Sequence, residues 1–455
     1  MRYLLAAVAL GFCAISPAIS QPVPDPHAVT AFTSVNVVPM DRERVLRNQT
    51  VIVKDGKVAA VGPSLAIPAG AHVIDAHGTE WLSPGLADMH THADTRNYMK
   101  VYLANGVTTI LNMGDASYGF MDHVLPAVNA GKAPGPYIFA SLRVDGSPDY
   151  GAFVVKTPEE ARGAMQLAKT NGYSFIKVYN NLSPECFQAF IDEGRVLHMH
   201  VIGHGVTRLG LEKQLAAGQV MVAHAEEYLY TVFTHPNDPP SNAAPDTKLI
   251  PAAIAFTKRD GAYVTADINT YATIARQWGK PEVVQQFLKM PEVKYLDPYD
   301  RIGWRHEGYV KKTGSLDDRV KFLKVFIKDM SDAGIPLILG TDAPPIPGLI
   351  PGFSLHSDME LLQSTGMTRY QILAAATRTA GQFIVHKVEG AQPFGTVTPG
   401  MRADLILSAK NPLDDLTTLR KPLGVMVGGA WYTQSDLQAL LDSVAKEYDD
   451  AAIHS

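Results

Sequence analysis

Residues 82–92 read Leu-Ser-Pro-Gly-Leu-Ala-Asp-Met-His-Thr-His, an apolar run that ends in a pair of histidines. From this point on, short apolar runs alternate with helix-like stretches such as Asp317–Ala333 and Thr157–Asn171, which opens with the capping pair Thr157-Pro158. The alternation predicts an α/β protein with a (β/α)8 TIM barrel over residues 86–394. The eight predicted strands are Leu82–Met89, Val107–Leu111, Tyr137–Ala140, Phe175–Tyr179, Val201–Gly203, Val220–Ala223, Tyr263–Ala266 and Pro336–Leu339.

The chain on either side of the barrel has the pattern of short β-strands and turns. Asp55-Gly56 lies between two apolar runs, which is a strong signal for a hairpin. We expect residues 21–85 and 395–455 to form one small β-sandwich domain from both chain ends, with a terminal helix over residues 435–449. Two long connections, 225–262 and 269–334, are predicted to be lids or binding loops.

The first twenty residues are typical of an export signal. A short basic start is followed by the apolar run Tyr3–Ile15, and small residues precede a cut after Ser20. We therefore predict that residues 1–20 are a signal peptide and that the protein is secreted or periplasmic. The alternatives are a buried amphipathic helix and a lipid anchor at Cys13, which bulky Phe12 disfavours.

Composition excludes several classes of protein. A formal net charge of −5 argues against binding nucleic acid or anionic lipid through bulk charge. With two cysteines, Cys13 and Cys186, a disulfide scaffold and a thiolate zinc site are both excluded. Beyond the signal, no apolar stretch is long enough to cross a membrane. The expected partner is a small molecule, and the sequence leaves the oligomeric state open.

Polar side chains of metal-ligand type follow the predicted strands. His90 and His92 end the first strand, and residues two apart in a strand point to the same face, so both imidazoles can reach one ion. A second such pair, His198 and His200, stands at the start of a strand, where we expect a structural role. TIM barrels carry their chemistry at the carboxyl ends of the strands. The further candidates at those ends are Lys177, His204, His224 and Asp342.

These residue types favour a divalent metal. Imidazole and carboxylate ligands suit Zn²⁺, Mn²⁺, Fe²⁺ or Co²⁺, and zinc is preferred. A lysine ammonium has no lone pair, so Lys177 can bind metal only as a carbamate, whose two oxygens can bridge two ions. If Lys177 stays an amine, the same site would hold a single ion.

The chain resembles the amidohydrolase superfamily, in the branch of imidazolonepropionase-like and Xaa-Pro dipeptidase-like enzymes. The resemblance implies that His90, His92 and Asp342 bind the more buried of two divalent ions. Lys177, carboxylated at N6, would bridge to a second ion bound by His204 and His224. The motifs that carry the resemblance are Gly85-Leu-Ala-Asp-Met-His-Thr-His92, Gly106-Val-Thr-Thr109, Phe175-Ile-Lys-Val178, Gly203-His-Gly205, Ala223-His224, Gly340-Thr-Asp342, Ala374-Ala-Ala-Thr377 and Gly395-Thr-Val-Thr-Pro-Gly-Met-Arg-Ala-Asp-Leu405.

The chain departs from its relatives at three strand ends. Gly203 replaces the first histidine of their His-Ala-His-Gly, which leaves His204 as the ligand. Leu111-Asn112 replaces Arg-Asp, and Ala223-His-Ala-Glu-Glu227 replaces Glu-His-Gly. The ligands are retained, whereas the substrate pocket differs.

The resemblance also implies a mechanism of metal-assisted hydrolysis. A metal-bridging hydroxide would attack the scissile carbonyl, and Asp342 would take its proton and pass it to the leaving nitrogen. Tyr228 or Tyr230 could donate a hydrogen bond to the developing oxyanion, and the alternative is that both tyrosines only pack within the segment 225–262. Tyr179 and Asn180 are candidates for binding a substrate carboxylate.

Three functions fit the sequence. The first is an exported binuclear hydrolase that cleaves amide or peptide bonds in dipeptides, Xaa-Pro compounds or N-acyl amino acids. The second is a mononuclear cyclic-amide hydrolase or deaminase, and the third is a non-catalytic exported protein that binds a metal or ligand. Metal content separates the first two, and Asp342 argues against the third.

Overall fold

A computed structural model describes residues 23–114, 116–149, 153–234, 241–306 and 308–453. The predicted signal peptide 1–20 and Cys13 lie outside these residues. Within them, no helix combines the length and the apolar character that crossing a bilayer requires.

The predicted parallel barrel is confirmed. Eight neighbouring strands pair in parallel and in chain order, from the first to the last. Hydrogen bonds from Met89 N to Leu339 O (2.8 Å) and from Asp342 N to His90 O (2.8 Å) then join the last strand to the first. The strands are β6 (Leu86–Thr91), β7 (Val107–Asn112), β8 (Tyr137–Asp145), β10 (Phe175–Val178), β11 (His200–Gly203), β12 (Met221–Val222), β13 (Tyr263–Thr265) and β14 (Leu337–Ile338), and the short β9 (Phe153–Val154) pairs with β8.

Strands from both chain ends form a second, eight-stranded sheet with its own core. The core includes Phe32, Val53, Leu82, Leu405 and Met426, so neither chain end completes it alone. The strands are β1 (Thr30–Val37), β2 (Leu46–Lys54), β3 (Lys57–Gly62), β4 (His72–Asp75), β5 (Trp81–Pro84), β15 (Leu405–Ser408), β16 (Gly424–Val427) and β17 (Ala430–Thr433).

The junction between the two sheets lies inside one apolar run. The prediction of a single strand over Leu82–Met89 is wrong, because the run breaks at Gly85 into β5 and β6, which belong to different sheets. A Cβ atom at Gly85 would lie 2.1 Å from Oγ1 of Thr108, so only glycine fits this turn. Beyond this break, β6 leads to His90 and His92.

The two predicted loops contain several helices. Among the residues that the structure describes, helices occupy about half of 225–262 and most of 269–334. The helices are α1 (Arg96–Ala104), α2 (Leu125–Asn129), α3 (Pro158–Thr170), α4 (Pro184–Leu197), α5 (Leu211–Ala217), α6 (Glu227–Thr231), α7 (Ile250–Asp260), α8 (Ile268–Gln277), α9 (Pro281–Phe287), α10 (Pro298–Arg305), α11 (Asp317–Asp332), α12 (Phe353–Gln363), α13 (Arg369–Ala375), α14 (Arg378–Lys387) and α15 (Gln434–Ile453). Single turns of other helix types cover Phe120–Val124, Thr247–Leu249, Pro291–Tyr295, Gly308–Lys311 and Leu416–Arg420.

Candidate metal centre

The structure brings the six predicted ligand residues together at the carboxyl end of the barrel. His90 lies on β6 and His92 directly follows it, β10 carries the lysine, and the others lie one to four residues beyond the ends of β11, β12 and β14. Five of the side chains are buried, and that of Asp342 is 18% exposed, which makes it the most accessible member of the set. The six are His90, His92, Lys177, His204, His224 and Asp342.

Asp342 and Lys177 each lie close to both His90 and His92. Oδ1 of Asp342 is 3.3 Å from Nε2 of His90 and 3.0 Å from Nε2 of His92. Nζ of Lys177 is 3.1 Å from Nε2 of His90 and 3.5 Å from Nε2 of His92. Both imidazoles therefore direct the same nitrogen at a carboxylate and an amine.

The other two histidines complete the cluster from the opposite side. Nε2 of His224 lies 3.9 Å from Oδ2 of Asp342, and its ring centre is 4.2 Å from that of His90 and 5.1 Å from that of His204. Nε2 of His204 is buried and has no hydrogen-bond partner among the described residues. A buried nitrogen that faces a group of donors without a partner of its own is what a metal ligand requires.

All four imidazoles are oriented through Nδ1. In His90, Nδ1 donates to Ala223 O (3.0 Å), and in His92 it donates to Gly114 O (3.2 Å). In His204 and His224, Nδ1 faces the carboxylates of Glu227 (2.6 Å) and Asp267 respectively. A bond at Nδ1 fixes the tautomer that offers the Nε2 lone pair, and histidines that bind metals almost always have such a partner.

The charges of the site follow from burial and from these pairs. Burial lowers the pKa of His204 to about 4, despite its Glu227 partner, so its imidazole is neutral at pH 7. Burial also disfavours the charged form of His224, but the Asp267 carboxylate raises its pKa to about 10. Burial would raise the pKa of Asp342, yet the surrounding histidines hold it well below its ordinary value, so Asp342 is a carboxylate.

The residues fit a divalent metal. One ligand atom from each of His90, His224 and Asp342 lies within 4.8 Å of the other two, and Nε2 of His204 has no other partner. Imidazole nitrogens and carboxylate oxygens are suitable ligands for zinc and related ions.

The backbone at the end of β14 is shaped to present Asp342. This residue has φ +55°, a left-handed conformation that costs energy in a residue other than glycine and is common at functional sites. A Cβ atom at Gly340 would lie 2.5 Å from Cβ of His90, so glycine permits the close approach of β14 to β6. Oγ1 of Thr341 donates to Asp88 (2.7 Å) and fixes the turn to β6.

The two tyrosines predicted near an oxyanion lie in different environments. The prediction for Tyr228 needs correction, because its hydroxyl bonds to Oγ1 of Thr257 (2.6 Å) and its buried ring packs against Phe256 and Phe326. Two residues further along α6, Tyr230 is 41% exposed. Tyr230 is therefore the one of the pair that remains accessible.

The two residues predicted to bind substrate also lie in different environments. The ring of Tyr179 lies against that of His204, with the ring centres 3.8 Å apart, so it borders the cluster. The side chain of Asn180 instead donates to Gly205 O (3.0 Å) and approaches Glu227 (3.4 Å). The prediction for Asn180 is corrected to a positioning role, because its amide supports the carboxylate that orients His204.

Sequence reasoning missed four polar residues around the cluster. Glu227 and Asp267 orient two histidines, and Arg143 lies beside Tyr179, with its guanidinium carbon 5.9 Å from the ring centre. Glu226 is partly buried, and burial together with nearby carboxylates raises its pKa to about 8. Glu226, Glu227 and Asp267 could have been identified from the sequence, because each is a polar residue just beyond the end of a predicted strand.

Comparison with known proteins gives a family match over most of the chain. The model of the amidohydrolase family matches residues 81–432. A dihydroorotase of Geobacter sulfurreducens is 29% identical over 178 residues, which are 39% of this chain and 38% of the relative. The chain thus spans well under half the length of that curated relative.

Two solved structures share the fold over most of the chain. A bottromycin amidohydrolase is 20% identical, with a TM-score of 0.71, and the match covers 92% of this chain and 90% of the other. A Xaa-Pro dipeptidase with methionine bound in its active site is 17% identical, with a TM-score of 0.63, and the match covers 89% of this chain and 100% of the other.

Proposed function

Because the chain belongs to the amidohydrolase family, we propose that it is a hydrolase of carbon–nitrogen bonds and that it cleaves amide or peptide bonds in small substrates such as dipeptides, Xaa-Pro compounds or N-acyl amino acids. The observation that carries this proposal is the convergence of four histidines, each fixed at Nδ1, on Asp342 and Lys177. A purely structural cluster would not need every imidazole to direct Nε2 at one point.

The proposed cofactor is a pair of divalent ions, with zinc preferred. His90, His92 and Asp342 would hold one ion, and His204 and His224 the other. Lys177, carboxylated at N6, would bridge them, since its Nζ already lies 3.1 Å from Nε2 of His90 and 3.5 Å from Nε2 of His92. When bound, the ions would lower the pKa of a shared water and polarise the scissile carbonyl.

Asp342 is the proposed acid–base residue. It is ionised, it is the most accessible of the ligands, and it faces three histidines. Its carboxylate can accept the proton of the attacking water and return it to the leaving nitrogen. Tyr230 and Tyr179 are the proposed donors near the carbonyl oxygen and the substrate, because Tyr230 is accessible and the ring of Tyr179 borders His204.

The test is a hydrolysis screen. Zinc-loaded protein is incubated with a library of dipeptides and N-acyl amino acids, with and without a chelator. We expect chelator-sensitive hydrolysis, and we expect Asp342→Asn to lower kcat by about 10²- to 10⁴-fold. The proposal would be refuted if no compound of the library were hydrolysed, or if the Asp342→Asn variant kept full activity.

A mononuclear cyclic-amide hydrolase is the second candidate. His90, His224 and Asp342 alone form a compact set for one ion, and the dihydroorotase of Geobacter sulfurreducens is among the relatives. Metal analysis decides: two ions per chain support the first candidate, and one ion with ring-opening activity supports the second.

We also propose that the protein is exported to the periplasm or outside the cell. The basic start and apolar run before Ser20 support this. Mass analysis of the protein recovered from a secreting host is expected to give a chain that begins at Gln21, and a retained residue 1 would contradict export by this signal.

A further inference from the structure

We propose that two buried glutamines, Gln214 and Gln219, are positioning residues for His204, and that they set the affinity for the ion that His204 binds. Because His204 is a metal ligand in the proposed function, this role rests on that proposal and deepens it. Gln214 lies on α5, Gln219 lies between α5 and β12, and both residues are buried. Neither belongs to the set of six side chains at the metal centre.

His204 lies in a turn whose backbone is intrinsically flexible. Glycines stand on both sides of it, and Gly203 has φ +128°, a conformation that other residues rarely adopt. A Cβ atom at Gly203 would lie 2.3 Å from Val178 O, so the close approach of β10 also requires glycine. Since glycine permits the widest range of backbone conformations, contacts from outside the turn must hold His204 in one place.

The side chain of Gln214 holds the backbone on both sides of Gly205. Its amide nitrogen donates to His204 O (3.1 Å), and its amide oxygen accepts from the backbone N–H of Val206 (2.6 Å). One carboxamide thus uses both its donor and its acceptor on a single turn. Gln214 therefore bonds directly to the backbone of the residue whose imidazole is the ligand.

Gln219 connects this turn to the neighbouring strand. Its amide nitrogen donates to Gly203 O (3.0 Å) and to Met221 O (3.1 Å), and its oxygen accepts from the amide nitrogen of Gln214 (2.9 Å). Gly203 ends β11 and Met221 begins β12, so the two glutamines join the ends of these strands. His224 follows β12 by two residues. The network therefore holds together the two segments that carry the proposed ligands of the second ion.

Burial makes these hydrogen bonds difficult to replace. A buried N–H or carbonyl group without a partner is costly, so the turn should move if the amide of Gln214 is removed. A metal ion accepts its ligands only within a narrow range of distances, so a small movement of His204 should weaken binding. The imidazole would keep its bond to Glu227. Glu227 thus orients the ring, whereas the glutamines fix the backbone that carries it.

The experiment measures zinc affinity without substrate. Metal-free protein is titrated with zinc, and bound metal is counted. In Gln214→Met, which keeps the length of the side chain but loses the amide, we expect one of the two binding steps to weaken by about 10- to 100-fold. The weakened step should be the one that is abolished in His204→Ala. Gln219→Met retains the bonds of Gln214 to the turn, so it should show a smaller effect on the same step and provides a second test if Gln214→Met does not fold.

Gln277→Met is the matched control. Gln277 is also fully buried, and its amide nitrogen donates to Pro347 O (3.0 Å) and to Thr273 O (3.3 Å) at the far end of α8. Its removal should therefore disturb the fold to a similar extent while leaving both zinc affinities unchanged. A further check is the double variant of Gln214 and Gln219, whose effect should be smaller than the sum of the two single effects, because the two amides share a hydrogen bond.

The outcomes separate positioning from general stability. Equal weakening of both steps in Gln214→Met, equal weakening in Gln277→Met, or unchanged affinities in Gln214→Met would each overturn the assignment. If the wild type binds a single ion, a lower affinity for that ion in Gln214→Met but not in Gln277→Met supports the assignment, and an unchanged affinity refutes it. The proposed function is judged separately by hydrolysis. A protein that shows these zinc affinities but hydrolyses no compound of the library would refute that function and leave the positioning role intact.

Discussion

Nδ1 of His204 lies 2.6 Å from Oε1 of Glu227, and the second oxygen of this carboxylate accepts from the backbone of Gly205 (2.9 Å). The carboxylate thereby fixes both the ring and the loop that carries it. Burial alone would raise the pKa of Glu227. Its interactions with His204, with His224 and with the backbone of Gly205 together lower the pKa below its ordinary value, so the carboxylate stays ionised. The Nε2 lone pair of His204 is therefore directed into the site before any ion binds.

Removing this negative charge should weaken the binding of metal. Glu227→Gln retains a hydrogen-bonding group but lowers the basicity of His204, so we expect metal affinity to fall by about 10- to 100-fold. Titration with zinc, followed by metal analysis after dialysis, measures the change. Glu282→Gln, at an exposed position on α9, is the matched control. Unchanged affinity in Glu227→Gln would show that Glu227 does not orient a ligand.

Lys177 should be needed for the second ion. Lys177→Ala is expected to bind at most one ion and to lose activity by about two orders of magnitude or more, because no bridging oxygens remain. A short carboxylic acid added to this variant should restore part of the metal binding and part of the activity. Lys169→Ala, at an exposed position on α3, should behave like the wild type. Two tightly bound ions in Lys177→Ala would contradict a bridging carbamate, as would a wild-type mass that lacks one added carbon dioxide under native conditions.

The two tyrosines of α6 should differ in what their hydroxyls do. Tyr228→Phe removes the bond to Thr257 and should cost about 1 kcal/mol of stability with no change in kcat. Tyr230→Phe should lower kcat while leaving the unfolding midpoint unchanged, because its ring is at the surface. Urea unfolding and steady-state kinetics on both variants check this. A large kcat effect in Tyr228→Phe would restore the prediction made from sequence.

His356 should make the fold sensitive to acid. Its ring is buried on α12 with Nε2 2.9 Å from Asn105 O, and burial lowers its pKa to about 4. The unfolded state binds a proton below about pH 6.5 but the folded state does not, so this contribution to stability is present above pH 6.5 and is lost as the pH falls toward 4.

The variant His356→Gln can still donate to Asn105 but does not titrate. Between about pH 7.5 and pH 5, we expect the wild type to lose about 2 kcal/mol more of its free energy of unfolding than this variant. Urea unfolding at both values measures it, with the exposed His123→Gln as control. Equal losses in wild type and His356→Gln would mean that another group controls the acid response.

The barrel and the cluster of six side chains could be read from the sequence because both depend on local order. Strands alternate with helices along the chain, and the carboxyl ends of parallel strands meet at one end of a barrel. Polar residues at the ends of five predicted strands therefore identified the six side chains without knowledge of any distance. Helix α3 likewise begins after Thr157, whose side chain accepts from Glu160 as the capping pattern predicts.

The remaining features depend on contacts between distant segments. A side chain at position 85 would collide with Thr108, which lies on a different strand, so the requirement for glycine at this break comes from a tertiary contact. Glu227 and Asp267 stand 23 and 43 positions after the histidines that they orient, so no spacing rule connects them. Tyr228 and Tyr230 are two apart on a helix and so face different sides, and only tertiary packing decides which side is the core.

The sheet shared by both chain ends has a consequence for synthesis. Strand β5 pairs with β1 on one edge and with β15 on the other, and Ser408 bonds to Trp81 across 327 positions. During translation the second edge of β5 has no partner until the entire barrel has been made. An unpaired edge of this kind invites contact with other chains. Folding should therefore be slow and concentration-sensitive, and a chain truncated before residue 405 should aggregate rather than yield a free barrel.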